Sequence, residues 1–175
     1  MLDDTIFLAT MLTLVVVLAL TCYTELKDNL IPNKITYTGM VLGLVYGFLP
    51  GGIDLQSSAV GLALGFGTLF IFYIFGGMGG GDVKLMGTVG ALLGVQHIVA
   101  VLIYTSLIGA VMAIFYLTWN KKLLEGLARS MRLLISRRKK NKPTDETDPE
   151  HADLGGIPYG LAIATGTLVA LWTVK

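Results

Sequence analysis

The chain has 175 residues, 54% of them apolar and 14% charged, with a mean hydropathy of +0.71. That leaves too little polar surface to coat a soluble globule of this size, so the composition excludes one and predicts an all-α integral membrane protein. The net charge of +1 is uninformative by itself and gives no reason to expect a nucleic-acid partner, whereas the placement of the charges is informative.

Residues 5–21 form an almost unbroken apolar run, which with its flanks reaches the roughly 20 residues that a bilayer demands. Asp3 and Asp4 stand where a secretory leader would be basic, and no small-residue cleavage site follows before Cys22, so the run reads as a retained first span. The lone Cys22 excludes an internal disulfide and a cysteine-rich zinc site, and reads as a small apolar residue at a helix end. Residues 23–34 are polar and read as a loop carrying Glu25, Lys27, Asp28 and Lys34, with Pro32 interrupting or beginning a helix because it lacks an amide donor.

Residues 35–49 form the second span, in which Gly39, Gly43 and Gly47 make a flat face that lets another helix approach. A Pro-Gly-Gly turn leads to a third span over 58–75, with Gly61 and Gly65 on one face. The glycine-rich stretch Gly76-Gly77-Met78-Gly79-Gly80-Gly81-Asp82-Val83-Lys84 then breaks the apolar pattern. From 85 to 119 only Gln96 and His97 interrupt it, and a helix of that length would run about 52 Å. One span cannot hold that, so a break is predicted at 94–97, giving a short segment and a full span over 98–119, with His97 as a turn residue. Residues 120–155 form a polar loop in which 121–140 carry an apolar face beside basic residues, the pattern of an amphipathic helix on anionic lipid or of a solvated helix extending from the preceding span. Residues 143–150 are acidic and proline-containing, and 157–174 form the last span.

All but one of the 13 Lys and Arg residues fall at 27–34, at 84 and at 121–142, and the positive-inside rule puts these stretches on the cytoplasmic side. The expected architecture is therefore about six transmembrane helices, one of them short, plus the cytoplasmic amphipathic helix, in one domain over 1–175 with both termini outside. The glycine faces would also permit a homodimer.

This topology puts Glu25, Asp28 and Asp82 on the same membrane face. An acidic side chain at the mouth of a span is costly unless it lines a wet cavity, so Asp82 is a candidate for function. Two carboxylates in a partly dry site tend to share one proton, the arrangement by which an aspartyl protease activates water and polarises a carbonyl. The glycines before Asp82 would admit an extended substrate backbone or serve as a flexible turn. Lys84 has three candidate roles: headgroup anchor, modulator of Asp82, or substrate contact. The two histidines are too far apart in sequence for a His-based metal site, and no cofactor is expected.

The segment GGMGGGDVKLMGTVGALLG resembles the GxGD region of the type IV prepilin peptidases, in particular the short Flp/Tad-type enzymes. Leu30-Ile31-Pro32-Asn33-Lys34 resembles the family's IPN element, and Ile157-Pro158-Tyr159-Gly160-Leu161-Ala162 its IPYGxA element. The three stand in family order across nearly the whole chain. The resemblance implies a membrane aspartyl endopeptidase that removes the leader from prepilins or pseudopilins at the cytoplasmic face of the bacterial inner membrane. Asp82 matches the second catalytic aspartate, and Glu25 stands at the position of the first. Gly79, Gly80, Gly81, Lys84, Asp28, Pro32, Asn33, Pro158, Tyr159 and Gly160 are the residues expected to bind substrate or shape the site. Glutamate for aspartate admits three readings: a natural residue with a compensating backbone, a substitution that weakens the enzyme, or a helper role for Asp28. The methyltransferase region and cysteine pairs of the long family members have no room between Tyr23 and Lys34, so N-methylation is not expected. Two other classes stay open: a membrane protein that binds pilin leaders without cutting them, and a small transporter with Asp82 as its coupling carboxylate.

Overall fold

The computed structural model describes residues 2–119 and 158–174. Among these residues there are five α-helices and no strand: α1 (Leu2–Asp28), α2 (Asn33–Phe48), α3 (Leu55–Ile74), α4 (Gly80–Trp119) and α5 (Tyr159–Thr173). Three stretches are long and apolar enough to cross a membrane, Asp4–Asp28, Leu55–Ile74 and Gly80–Tyr116, and α5 is a shorter apolar helix. With Phe7, Leu12, Val41, Phe48, Ile71, Ile103, Val111 and Trp172 on the outside, the exterior is that of a protein solvated by lipid.

Helix α4 is the axis. Residues 85–94 of its N-terminal half are buried all round, and Val83, Leu85, Met86, Val89, Ala91 and Leu92 are almost wholly enclosed. Glycine makes that enclosure possible. A Cβ on Gly61 of α3 would overlap the carbonyl oxygen of Gly90, one on Gly65 would lie 2.5 Å from the Met86 oxygen, and one on Gly43 of α2 would lie 2.8 Å from Ala91. Two hydroxyls join the helices where their backbones meet. Ser58 Oγ donates to the Ala91 oxygen at 2.6 Å and contacts the Gly43 oxygen at 3.1 Å, and Thr88 Oγ1 lies 2.9 Å from the Thr36 oxygen.

The break predicted at 94–97 is present at Gly94, whose φ of 73° favours glycine and separates two helices within the α4 range. The second doubles back on the first: Met86 and Ile98 both lie against Gly65, although a continuous helix from 86 to 98 would part them by about 18 Å. It starts at once because Ser57 Oγ accepts the Val95 N–H at 3.2 Å. His97 is consequently helical, with Nδ1 3.4 Å from the Leu93 oxygen, and not the turn residue expected.

Two further expectations are corrected. Helix α1 does not end near Thr21 but runs to Asp28, so Glu25, Lys27 and Asp28 are helical and not in a loop. It stops where Asn29 takes φ 51° and its N–H bonds the Glu25 carbonyl at 2.9 Å. The glycine stretch is also shorter as a loop than predicted, since Gly80, Gly81 and Asp82 form the first turn of α4. The predicted helix over 121–140, the acidic run 143–150 and Ile157 lie outside the described residues.

Candidate active site

Glu25 closes a buried stripe on α1 formed by Thr10, Leu14, Leu18 and Thr21, with residues recurring every three or four positions, and is itself 7% exposed. A carboxylate buried in this way needs donors. They come from the first turn of α5, whose amides have no partner within the helix and carry its positive dipole end. Gly160 N–H donates to Glu25 Oε1 at 3.0 Å across 135 residues of sequence, and the Leu161 N–H, which donates to the Pro158 oxygen at 3.2 Å, also faces the carboxylate. Pro158, at the cap position, supplies no side-chain hydrogen bond, so a residue of another helix caps α5. Gly160 has to be small here, because a Cβ would overlap Glu25 Oε2 and lie 3.1 Å from its Cδ.

Asp82 is the third residue of α4 and is 9% exposed. Its carboxylate reaches back to the N–H of Gly79, which satisfies an amide that the helix leaves open. A Cβ on Gly79 would lie 3.1 Å from Asp82 Oδ2. The IPN segment packs on the same turn: a Cβ on Gly81 would lie 2.9 Å from Ile31 Cβ. Pro32 occupies the cap position of α2 with extended backbone, and Asn33 begins that helix. Asn33 Oδ1 accepts Lys84 Nζ at 2.8 Å, and the same ammonium lies 5.6 Å from the Tyr37 ring centroid.

Glu25 is near enough for its charge to reach Asp82, and the Asp82 charge in turn reaches Tyr159. One oxygen of each carboxylate, Glu25 Oε2 and Asp82 Oδ1, is buried without a protein partner. Leaving such oxygens unbonded costs about 1–3 kcal/mol each, so the pair is set up to share a proton or to bind a polar guest. The Tyr159 ring is seated against Gly109, where a Cβ would come within 2.5 Å of Cε2 and 3.0 Å of Oη.

Of the residues singled out from the sequence, the structure gathers Glu25, Asp82, Gly79, Tyr159 and Gly160 into one cluster, with Gly81, Asn33, Pro32 and Lys84 beside it. Gly80 instead faces Tyr73, at 3.5 Å from the ring for a Cβ. Asp28 is exposed at the end of α1 and takes no part in the buried pair. The sequence reading missed the Leu161 amide, the Ile31 contact, the Tyr37 ring and Cys22, which stands one turn before Glu25 and feels its charge. The recurrence of buried positions from Thr10 to Glu25 was the available signal for extending α1. Among the described residues, no group of three or more His, Cys, Asp and Glu side chains is arranged to hold a metal.

The profile of the type IV leader peptidase family matches residues 12–114, a stretch that includes both Glu25 and Asp82. A prepilin leader peptidase/N-methyltransferase of Aeromonas hydrophila is 36% identical over 114 residues, 61% of this chain and 39% of the relative. Proteins of the same description from Neisseria gonorrhoeae and Escherichia coli K12 are 31% identical over 99 residues and 34% identical over 93, covering 53% and 49% of this chain. The matched region spans 35% of the gonococcal protein and 41% of the E. coli protein, well under half of either. No solved structure matches the chain.

Proposed function

Because the chain belongs to the type IV leader peptidase family, we propose that it is a membrane aspartyl endopeptidase that removes the N-terminal leader from prepilins or pseudopilins of the Flp type. Glu25 and Asp82 are the reacting pair. The observation that carries this reading is the buried pair itself, with Glu25 Oε2 and Asp82 Oδ1 both lacking a protein partner.

The chemistry needs one ionised and one protonated carboxyl. The ionised group takes a proton from water as the water oxygen bonds to the scissile carbonyl carbon, while the protonated group gives its proton to the carbonyl oxygen. The tetrahedral diol then collapses as the first carboxyl returns a proton to the leaving nitrogen, the second takes a proton back from a diol hydroxyl, the C–N bond breaks and the carbonyl re-forms. Atoms balance with one water consumed, and the two carboxyls carry every proton transfer. Tyr159 lies at the edge of this pair, and Lys84, held by Asn33, borders the approach to Asp82.

The membrane placement follows the positive-inside count: about six spans in the bacterial inner membrane, both termini outside, the carboxylates on the cytoplasmic side and the basic stretch 121–140 on anionic lipid, in a single peptidase domain over 1–175. To test the reading, membranes holding the protein are incubated with a prepilin and the shortened product is measured. Cleavage that Asp82→Asn abolishes is the expected result, and undiminished cleavage by that variant would overturn the assignment. A second reading, leader binding without cutting, is favoured by one observation, the glutamate at position 25. Binding with no cleavage in any variant would establish it.

A further inference from the structure

We infer that Gly160 is the positioning residue for the first carboxylate, its N–H holding Glu25 Oε1 and its missing side chain making room for the glutamate's reach, so that this site is fitted to glutamate and not to aspartate. The inference rests on the proposed role of Glu25 and adds to it a reason for the departure at that position.

Both ends of the contact are fixed independently of it. The backbone of α1 is held by Leu14, Val17, Leu18 and Thr21, all buried. Helix α5 is held against the second half of α4 by close approaches elsewhere: a Cβ on Gly166 would lie 2.5 Å from Thr105 Oγ1 and 2.7 Å from Thr105 N, and Tyr159 is seated on Gly109. Between these two fixtures the glutamate carboxylate spans the gap to the Gly160 amide at 3.0 Å. Aspartate on the same backbone is shorter by one C–C bond, about 1.5 Å. That would stretch the hydrogen bond well past the distance at which an N–H···O contact counts. In the other direction there is no slack either. A Cβ on Gly160 would overlap Oε2 and lie 3.3 Å from Oε1, so the carboxylate would be driven off its donors. The length of residue 25 and the smallness of residue 160 are thus two halves of one fit.

The test is a cycle of Glu25→Asp, Gly160→Ala and the double variant, measured in the full chain with a prepilin substrate. A misplacement of about 1 Å at a reacting group costs about a hundredfold in rate. Each single substitution is accordingly expected to lower kcat by about 10- to 100-fold with KM little changed, and Gly160→Ala is expected to cost almost nothing further in the Glu25→Asp background, where the shorter side chain clears the new methyl group. Cleavage by Glu25→Asp at or above the wild-type rate would overturn the inference, as would a Gly160→Ala loss of equal size in both backgrounds, the signature of a general disturbance of α5. A readout without cleavage separates this inference from the protease reading. Carboxyl-directed labelling mapped by mass spectrometry should modify Glu25 slowly in the wild type and severalfold faster in Gly160→Ala. If no variant cleaves but labelling rises, the peptidase reading fails and the positioning stands. If cleavage occurs but Glu25 labelling is unmoved, the positioning fails and the peptidase reading stands.

Discussion

Gly61 and Gly67 lie on the same helix and should respond to alanine in opposite directions. A Cβ on Gly67 meets nothing within 4 Å, so Gly67→Ala gains only the helix preference of alanine, about 0.8–1 kcal/mol. A Cβ on Gly61 would overlap the Gly90 oxygen and stand 2.8 Å from Gly94 C and 2.9 Å from its Cα, all of them backbone atoms that no rotamer change can move. To restore ordinary contact, α3 and α4 must separate by roughly 0.5–1 Å, which forfeits a quarter to a half of each dispersion contact along the seam. Overpacking of this kind costs about 1–3 kcal/mol, which outweighs the propensity gain at all but its lower edge. The same separation loosens the packing of Gly65 on Met86, where a Cβ would lie only 2.5 Å from the Met86 oxygen. For a chain of this size 1 kcal/mol moves a thermal midpoint by about 2–4 °C. Thermal unfolding in one detergent should therefore place Gly61→Ala several degrees below wild type and Gly67→Ala at or above it. Equal midpoints, or Gly61→Ala the higher, would refute the claim that these helices touch backbone to backbone.

Ser57→Ala removes the acceptor for the Val95 N–H and should cost about 0.5–2 kcal/mol, as the loss of a helix cap does, read in the same unfolding assay. Gly94→Ala should cost more, because it forces a side chain into positive φ and brings the new methyl within 2.6 Å of Ser57 Oγ. Lys84→Met and Asn33→Ala share one partly exposed contact of 2.8 Å. Each should shift stability by less than about 1 kcal/mol, and the double variant should show less than the sum of the two.

The parts of the fold that depend on local pattern are legible in the sequence. Gly39, Gly43, Gly61 and Gly65 read as close-packing faces and are buried against α4. That one span cannot hold residues 85–119 locates the interruption at Gly94, where one helix ends and a second begins. What composition does not show is the partner that starts the second helix: Ser57, on another helix, supplies the acceptor for the Val95 N–H. The end of α1 is misplaced from sequence because Tyr23 to Asn29 is polar in composition, although the buried spacing from Thr10 through Thr21 carries on to Glu25. Asp82 stands out through its glycines and its place at the mouth of an apolar run. Its relation to Glu25 narrows to one membrane face and no further. The contact that seats Glu25 joins it to an α5 amide 135 residues away, and no periodicity records which helix end docks on which side chain.

The central claim is that Glu25 and Asp82 act as one catalytic unit, and a double-mutant cycle on prepilin cleavage tests it most directly. Groups that share a single step lose activity non-additively, so Glu25→Gln and Asp82→Asn should each remove nearly all of kcat/KM, and the double variant should be no slower than the slower single one. Losses that multiply, or substantial cleavage by either single variant, would contradict it.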